Sequence, residues 1–353
     1  MEKTKHNFYN LTLSELESVV AEYGHKAFRA RQLFQWIYAH KVTDLDKMTN
    51  LSKDFKQDIP NIFNFEMPDL LTEKVSTDGT RKYLFSVGPG LSFETVMIPA
   101  GDRNTLCVSS EVGCNMACKF CFTAKQKLKK RLTASEIVGQ FIKVQNMLPK
   151  DIQLTNIVFM GMGEPLDNPE GVFSSIKILT SELGVNLSRK KITVSTSGLV
   201  DKIPLVTESG ARLAVSLNGA DNQTRDRVMP INKKWNIEAL LQACLDYTNA
   251  TKDKVTFEYV LLKDVTDRPE DAKKLIQLAR KIPCKINIIP FNEHPNSGFE
   301  RPSESSIDRF QKVLMNNNIH VLRRKTMGRD IYAACGQLNS VYKNNESTQT
   351  RAN

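Results

Sequence analysis

The stretch Cys114-Asn-Met-Ala-Cys118-Lys-Phe-Cys121 decides how the rest of the chain is read. Three thiols at the spacing C-x3-C-x2-C lie within eight residues, and no fourth cysteine follows nearby. Thiolate is the soft ligand that iron–sulfur clusters require. Three ligands for a four-iron cluster leave one iron open to a small molecule, so the spacing favours an open [4Fe–4S] site on Cys114, Cys118 and Cys121. Structural zinc is the alternative. It is usually tetrahedral and built from paired knuckles. The chain has no second C-x2-C or H-x3-H to pair with this one, and only Cys107 could serve as a fourth ligand.

Working outward, the segments after the cysteines alternate between β and α periodicity. Strands are expected near 105–110, 156–162, 191–198, 212–219, 255–262 and 285–291. The helices between them are expected near 133–147, 169–183, 201–209, 236–250 and 268–281. Thr133-Ala-Ser-Glu136 is a capping box and starts the first of these helices. Six β/α units in tandem argue for a parallel sheet with its ligands at the C-terminal strand ends, and they fall short of the eight of a full barrel.

Before this core, residues 72–110 alternate with period two and read as strands around Lys82–Val87, Ser92–Ile98 and Thr105–Ser109. Residues 1–70 read as a small helical module. Its first helix opens on the capping box Thr12-Leu-Ser-Glu15, a second runs from Ala27 to His40 with Phe28 on an apolar face, and a third lies near 53–59. The organisation expected is therefore a helical accessory domain over 1–70, a β-hairpin linker over 71–104 and a (β/α)6 core over 105–300. A C-terminal extension follows over 301–340, with a helix near 305–317 and a strand near 320–325, and then a disordered tail over 341–353.

The 353 residues carry a net charge of +10, from 49 Lys and Arg against 39 Asp and Glu. That balance favours a polyanionic partner such as nucleic acid. No apolar run is long enough to cross a bilayer. Seven cysteines, three clustered and four dispersed, do not form a secretory disulfide pattern, so a reducing, cytoplasmic setting is expected.

Two further patterns surround the cysteines. Phe159-Met-Gly161-Met-Gly163-Glu164-Pro165 ends the second core strand; its glycines let backbone pass close to a ligand, and its carboxylate can accept from an ammonium group. Ser195-Thr-Ser-Gly198 and Ser216-Leu217-Asn218 end the next two strands with hydroxyl and amide groups suited to hydrogen bonding, or to capping and turns.

C-x3-C-x2-C resembles the signature of the radical S-adenosylmethionine (SAM) superfamily. Together with Ala334-Cys335-Gly-Gln-Leu338 near the C-terminus, it resembles the RlmN/Cfr family of RNA adenosine methyltransferases, over roughly residues 10–340. The resemblance implies a partial (β/α)6 radical SAM barrel with a [4Fe–4S] cluster, whose open iron is chelated by SAM. It carries SAM contacts onto Gly163, Glu164, Ser195, Ser216, Leu217, Asn218 and Asn292. At position 218 this chain has Asn where the family pattern has His. It also implies that Cys335 is methylated by one SAM, while a second is cleaved to a 5′-deoxyadenosyl radical that activates the S-methyl group. The need for such a thiol follows from the chemistry: a carbon between two ring nitrogens of adenine is too electron-poor to attack a sulfonium methyl, whereas thiolate is not. The resemblance further makes Glu94, in Phe93-Glu-Thr-Val96, the acceptor of the ring proton, and Cys107 the thiol that attacks Cys335 to release product as a disulfide forms.

The partners implied are 23S rRNA and tRNA, with the target adenosine flipped or unpaired, and an electron donor such as flavodoxin acting on a monomer. Basic runs at 125–131, 189–191 and 323–325 are expected along the RNA path. The target expected is adenine C2, with Cfr-like attack at C8 as the alternative. A zinc-stabilised RNA-binding protein without catalysis is the alternative from another class.

Overall fold

In a computed structural model of the chain, residues 4–294 and 297–338 are described. The tail read as disordered lies outside them. Helices α1 (Leu13–Glu22), α2 (Phe28–Tyr38) and α3 (Lys53–Ile62) form the N-terminal module. Glu15 closes the first capping box by accepting from the Thr12 backbone at 2.8 Å. The module packs on aromatics: Phe8 stacks on Tyr38 at 5.6 Å and meets Phe63 edge-on at 6.0 Å. Phe28, expected on an apolar face, is instead exposed at the helix start, where the Arg29 guanidinium lies over its ring at 4.6 Å.

Ten strands make one sheet. They are β1 (Asp69–Val75), β2 (Arg81–Ser86), β3 (Ser92–Ala100), β4 (Arg103–Cys107), β5 (Asn156–Phe159), β6 (Ile192–Thr196), β7 (Arg212–Ser216), β8 (Val255–Leu261), β9 (Cys284–Pro290) and β10 (Val321–Arg323). Each pairs with its neighbours in sequence, antiparallel from β1 to β4 and parallel from β4 to β10. The strand order runs from β10 to β1 without closing, so the barrel is partial.

Helices α4 (Ala134–Met147), α5 (Pro169–Thr180), α6 (Ile203–Ser209), α7 (Asn222–Val228), α8 (Ile237–Thr251), α9 (Pro269–Ala279) and α10 (Glu304–Asn316) complete the chain. The six β/α units expected from the sequence are present. The C-terminal extension adds β10 as a seventh parallel strand.

Two elements escape the periodicity. Strand β1 is an edge strand with an exposed, charged pattern, and α7 is too short to show a helical period. Residues 71–104 are also not a separate linker: β1–β3 continue the sheet edge to edge, because β4 pairs with β3 on one side and β5 on the other. A two-stranded pairing of Glu111–Val112 with Lys130–Arg131 closes the base of the cysteine loop.

Candidate active site

The parallel strands all point their C-terminal ends at one cavity. The cysteine loop leaves β4 there. Gly113 needs its positive φ of 81°, since a Cβ would lie 2.2 Å from the Lys127 carbonyl oxygen. Cys114, Cys118 and Cys121 all line the cavity. Burial pushes their thiols up, and Cys118 also feels the charge of Cys121. Among the described residues, no three His, Cys, Asp or Glu side chains converge to hold a single metal ion. As donors the three sulfurs suit an iron–sulfur cluster, which spreads its thiolates over separate irons.

The end of β5 supplies the next wall. Gly163, at φ 97°, leaves no room for a Cβ, which would sit 2.5 Å from the Glu111 side chain. Glu164 is buried and accepts from the Ser197 backbone at 2.7 Å and the Leu166 backbone at 3.1 Å. Burial raises its pKa, against the pull of those hydrogen bonds. Such a carboxylate on the cavity wall suits an ammonium ligand like the amino group of SAM.

Ser195, Ser216, Asn218 and Asn292 also line the cavity; Leu217 does not, its side chain being buried in the core. Asn218 occupies a left-handed turn (φ 49°) and accepts from the Val260 backbone at 2.9 Å, so its amide locks β7 to β8. Asn292 donates to the Cys335 carbonyl at 3.3 Å and accepts from Thr326 at 3.1 Å.

Two buried charges behind this wall were not singled out in the sequence. Glu111 accepts from the Glu164 backbone at 2.9 Å, and burial raises its pKa to about 8. Arg225 on α7 is fully buried. It donates to the Leu217 carbonyl (2.9 Å), the Ser197 carbonyl (2.5 Å) and Asn232 Oδ1 (3.0 Å). One guanidinium thereby braces the ends of β6 and β7, a use of its planar fork that lysine could not match. Asn232, just after α7, thereby joins the brace. The only sequence signal was the pair Gly198 and Gly219, whose Cβ atoms would lie 3.0 and 2.8 Å from Arg225.

Cys335 is exposed on the same cavity, while Cys107 and Glu94 are buried beside it and do not line it. Burial, and then the charge of Cys335, push the Cys107 thiol up to about 12. The two sulfurs are close enough to feel each other. Glu94 forms an ion pair with Lys82 at 2.8 Å. Arg324 and Glu258 share the cavity wall with Cys335. Of the basic runs, 125–131 flanks the cysteine loop and 323–325 follows β10 into the site. The run 189–191 precedes β6, at the opposite edge of the sheet, because it enters the strand rather than leaving it.

Comparison with known proteins places the family and the fold. Residues 6–64 match the ribosomal RNA large subunit methyltransferase N-terminal domain, and residues 108–279 match the radical SAM superfamily. A dual-specificity RNA methyltransferase RlmN from Bdellovibrio bacteriovorus is 57% identical, over 95% of this chain and 84% of its own length. One from Geotalea uraniireducens is 46% identical, over 93% and 95%. The crystal structure of a radical SAM methyltransferase from Sphaerobacter thermophilus superimposes with a TM-score of 0.89 at 39% identity, covering 95% of this chain and all of that one. With the cysteine loop, the Glu164 wall and Cys335 on one cavity, this chain belongs to the RlmN family of radical SAM RNA methyltransferases.

Proposed function

We propose that the chain methylates C2 of an adenosine in 23S rRNA, and of the adenosine next to the anticodon in tRNA, with Cys335 as the methyl carrier. The observation that carries this reading is the position of Cys335: exposed on the cavity that the cluster cysteines line, and within electrostatic reach of Cys107. The printed name of the relatives, a dual-specificity RNA methyltransferase, supports two RNA substrates.

Cys114, Cys118 and Cys121 would hold the [4Fe–4S] cluster, and Glu164, Ser195, Ser216, Asn218 and Asn292 would hold SAM, two molecules of it per turnover. Leu217 contributes through its backbone, which donates to the Glu258 carbonyl and keeps the β7 turn in place. When bound, the cluster and SAM supply the one-electron chemistry that activates a methyl carbon. The chain's own groups do the rest. Cys335 carries the methyl group, Glu94 takes the ring proton, and Cys107 thiolate attacks Cys335 sulfur, so that a disulfide forms as the bond from sulfur to the transferred carbon breaks. That carbon keeps the electron pair and takes a proton from solvent to complete the methyl group, and an external reductant restores the disulfide to thiols. Lys125, Lys127, Lys129 and Arg131 are exposed beside the cysteine loop and suit an RNA backbone, with the salt dependence such contacts bring. The protein works as a cytoplasmic monomer reduced by a flavodoxin-type donor in this reading.

The test is mass spectrometry of RNA methylated by the reconstituted protein, run separately on an rRNA fragment and a tRNA. Methyl on C2 of both is expected. Methyl on C8, or on neither RNA, overturns the proposal.

A further inference from the structure

Lys82 has no part in the reaction as described, yet it touches both halves of the site. It sits on β2 with only 11% of its side chain exposed. In the sheet register Lys82 lies opposite Val96, Val96 opposite Cys107, and Cys107 opposite Val158. Residues directly opposite share a face, and so do residues two apart on a strand. Lys82, Glu94 and Cys107 therefore project from one face of three adjacent strands. The Lys82 ammonium lies 2.8 Å from Glu94 Oε1, and it also donates to the Tyr332 carbonyl at 3.1 Å. Tyr332 is three residues before Cys335 and holds a left-handed backbone (φ 52°), unusual for a tyrosine.

A mostly buried Lys–Glu pair loses hydration that packed apolar residues of the same size would not lose. A simple clamp on the loop does not need that charge. The charge has a use only if the carboxylate must stay ionised at a fixed distance from the loop.

We infer that Lys82 is a positioning residue for proton removal: it fixes the Glu94 carboxylate relative to the loop that bears Cys335. The inference rests on the reading of Glu94 as proton acceptor. In the adduct, the C–H bond at the substituted ring carbon breaks. Its electron pair stays with the ring, its proton goes to Glu94, and the unpaired electron left by radical addition would return to the cluster that the three cysteines hold; the Lys82 ammonium takes no part in the transfer. Before that moment the ammonium holds Glu94 Oε1 at 2.8 Å, so the acceptor is in place when the adduct forms. Because Tyr332 hangs from the same ammonium, the base and the loop that carries the adduct are held in one frame.

The test follows a single turnover of the reconstituted full-length protein on RNA deuterated at the target carbon. With Lys82→Met, the burst of 5′-deoxyadenosine should keep its wild-type amplitude. The covalent protein–RNA adduct through Cys335 should then decay about tenfold to a hundredfold more slowly, with a deuterium isotope effect on that decay. Lys82→Arg should recover part of the rate. Should Lys82→Met fail to give a cooperative melt, Lys82→Gln keeps a donor for Tyr332, drops the charge, and should show the same slow, isotope-sensitive decay. Loss of the burst in proportion to the decay would make Lys82 a structural clamp and overturn the inference, as would an unchanged decay. Glu94→Gln separates the two readings. If it releases product normally, the assignment of the base is wrong; if it stalls while Lys82→Met does not, only the coupling is wrong.

Discussion

Cys107 and Cys335, partners in the proposed reaction, are held in opposite ways. Cys107 ends β4, where its strand is bonded on both sides, and its thiol is buried. Cys335 is exposed, on a loop fastened by polar contacts from distant segments. Gly328 donates to Asp78 at 2.8 Å, Ser76 and Thr77 donate to Asp330, Gln337 donates to the Glu293 carbonyl, and Phe122 and Thr123 bond the Gly336 and Leu338 carbonyls. Each such bond contributes only about 1 kcal/mol net, because water can replace it. The difference fits the proposed reaction. There Cys335 must meet a methyl donor, an RNA base and a second thiol, and it sits where hydrogen bonds exchange at small cost. Cys107, which in that reaction meets only Cys335, is built into the sheet.

The largest effects should come from the two thiols themselves. Cys335→Ala should abolish methylation while changing stability by no more than about 0.5 kcal/mol, since the side chain is exposed. Cys107→Ala should instead trap protein covalently bound to RNA through Cys335, seen on a denaturing gel. Normal product release in that variant would remove Cys107 from the reaction and end the comparison.

Next in size is the brace that holds the ends of β6 and β7 together. Arg225→Met strands the Leu217 and Ser197 carbonyls and Asn232, and should cost about 3 kcal/mol or more in denaturant unfolding. A loss below about 1 kcal/mol would mean that the strand ends hold themselves.

The pH dependence sharpens the contrast. With the Cys107 thiol pushed up to about 12 by burial, its thiolate is scarce at neutral pH and grows about tenfold per unit below that value. Decay of the RNA adduct should therefore speed up from about pH 7 to about pH 9. A flat profile would mean that another group deprotonates Cys107 as the step occurs.

The smallest effect concerns the loop latch. Burial raises the pKa of Asp78, but hydrogen bonds from Gly328, Thr80 and Ser76 outweigh it and hold the group down at about 2. The stability it adds is present above its unfolded value of about 4, and is lost as pH falls through about 2. Because Asp78 is exposed, Asp78→Asn should cost at most about 0.5 kcal/mol, yet it should raise the rate at which maleimide reacts with Cys335. An unchanged alkylation rate would show that the remaining contacts suffice.

Much of the molecule was legible in the sequence because local chemistry wrote it there. The capping boxes at Thr12 and Thr133 start α1 and α4 where expected. The spacing of Cys114, Cys118 and Cys121 lies within one loop, so it needs no tertiary fold to be read. Strand β1 and helix α7 were missed because an exposed edge strand and a helix of seven residues carry too little period. Phe28 was misplaced because it is the first residue of its helix and lies exposed under the Arg29 guanidinium.

By itself, then, the sequence determined the alternation of elements, the cysteine loop and the presence of a lone thiol near the C-terminus. Only the tertiary structure decided that β1–β3 extend the core sheet, that Arg225 ties two strand ends, and that Lys82 joins Glu94 to the Cys335 loop. Those contacts depend on strand register and on chain segments as far as 250 residues apart. A periodicity records which face of an element is apolar, and it holds no record of what that face will meet.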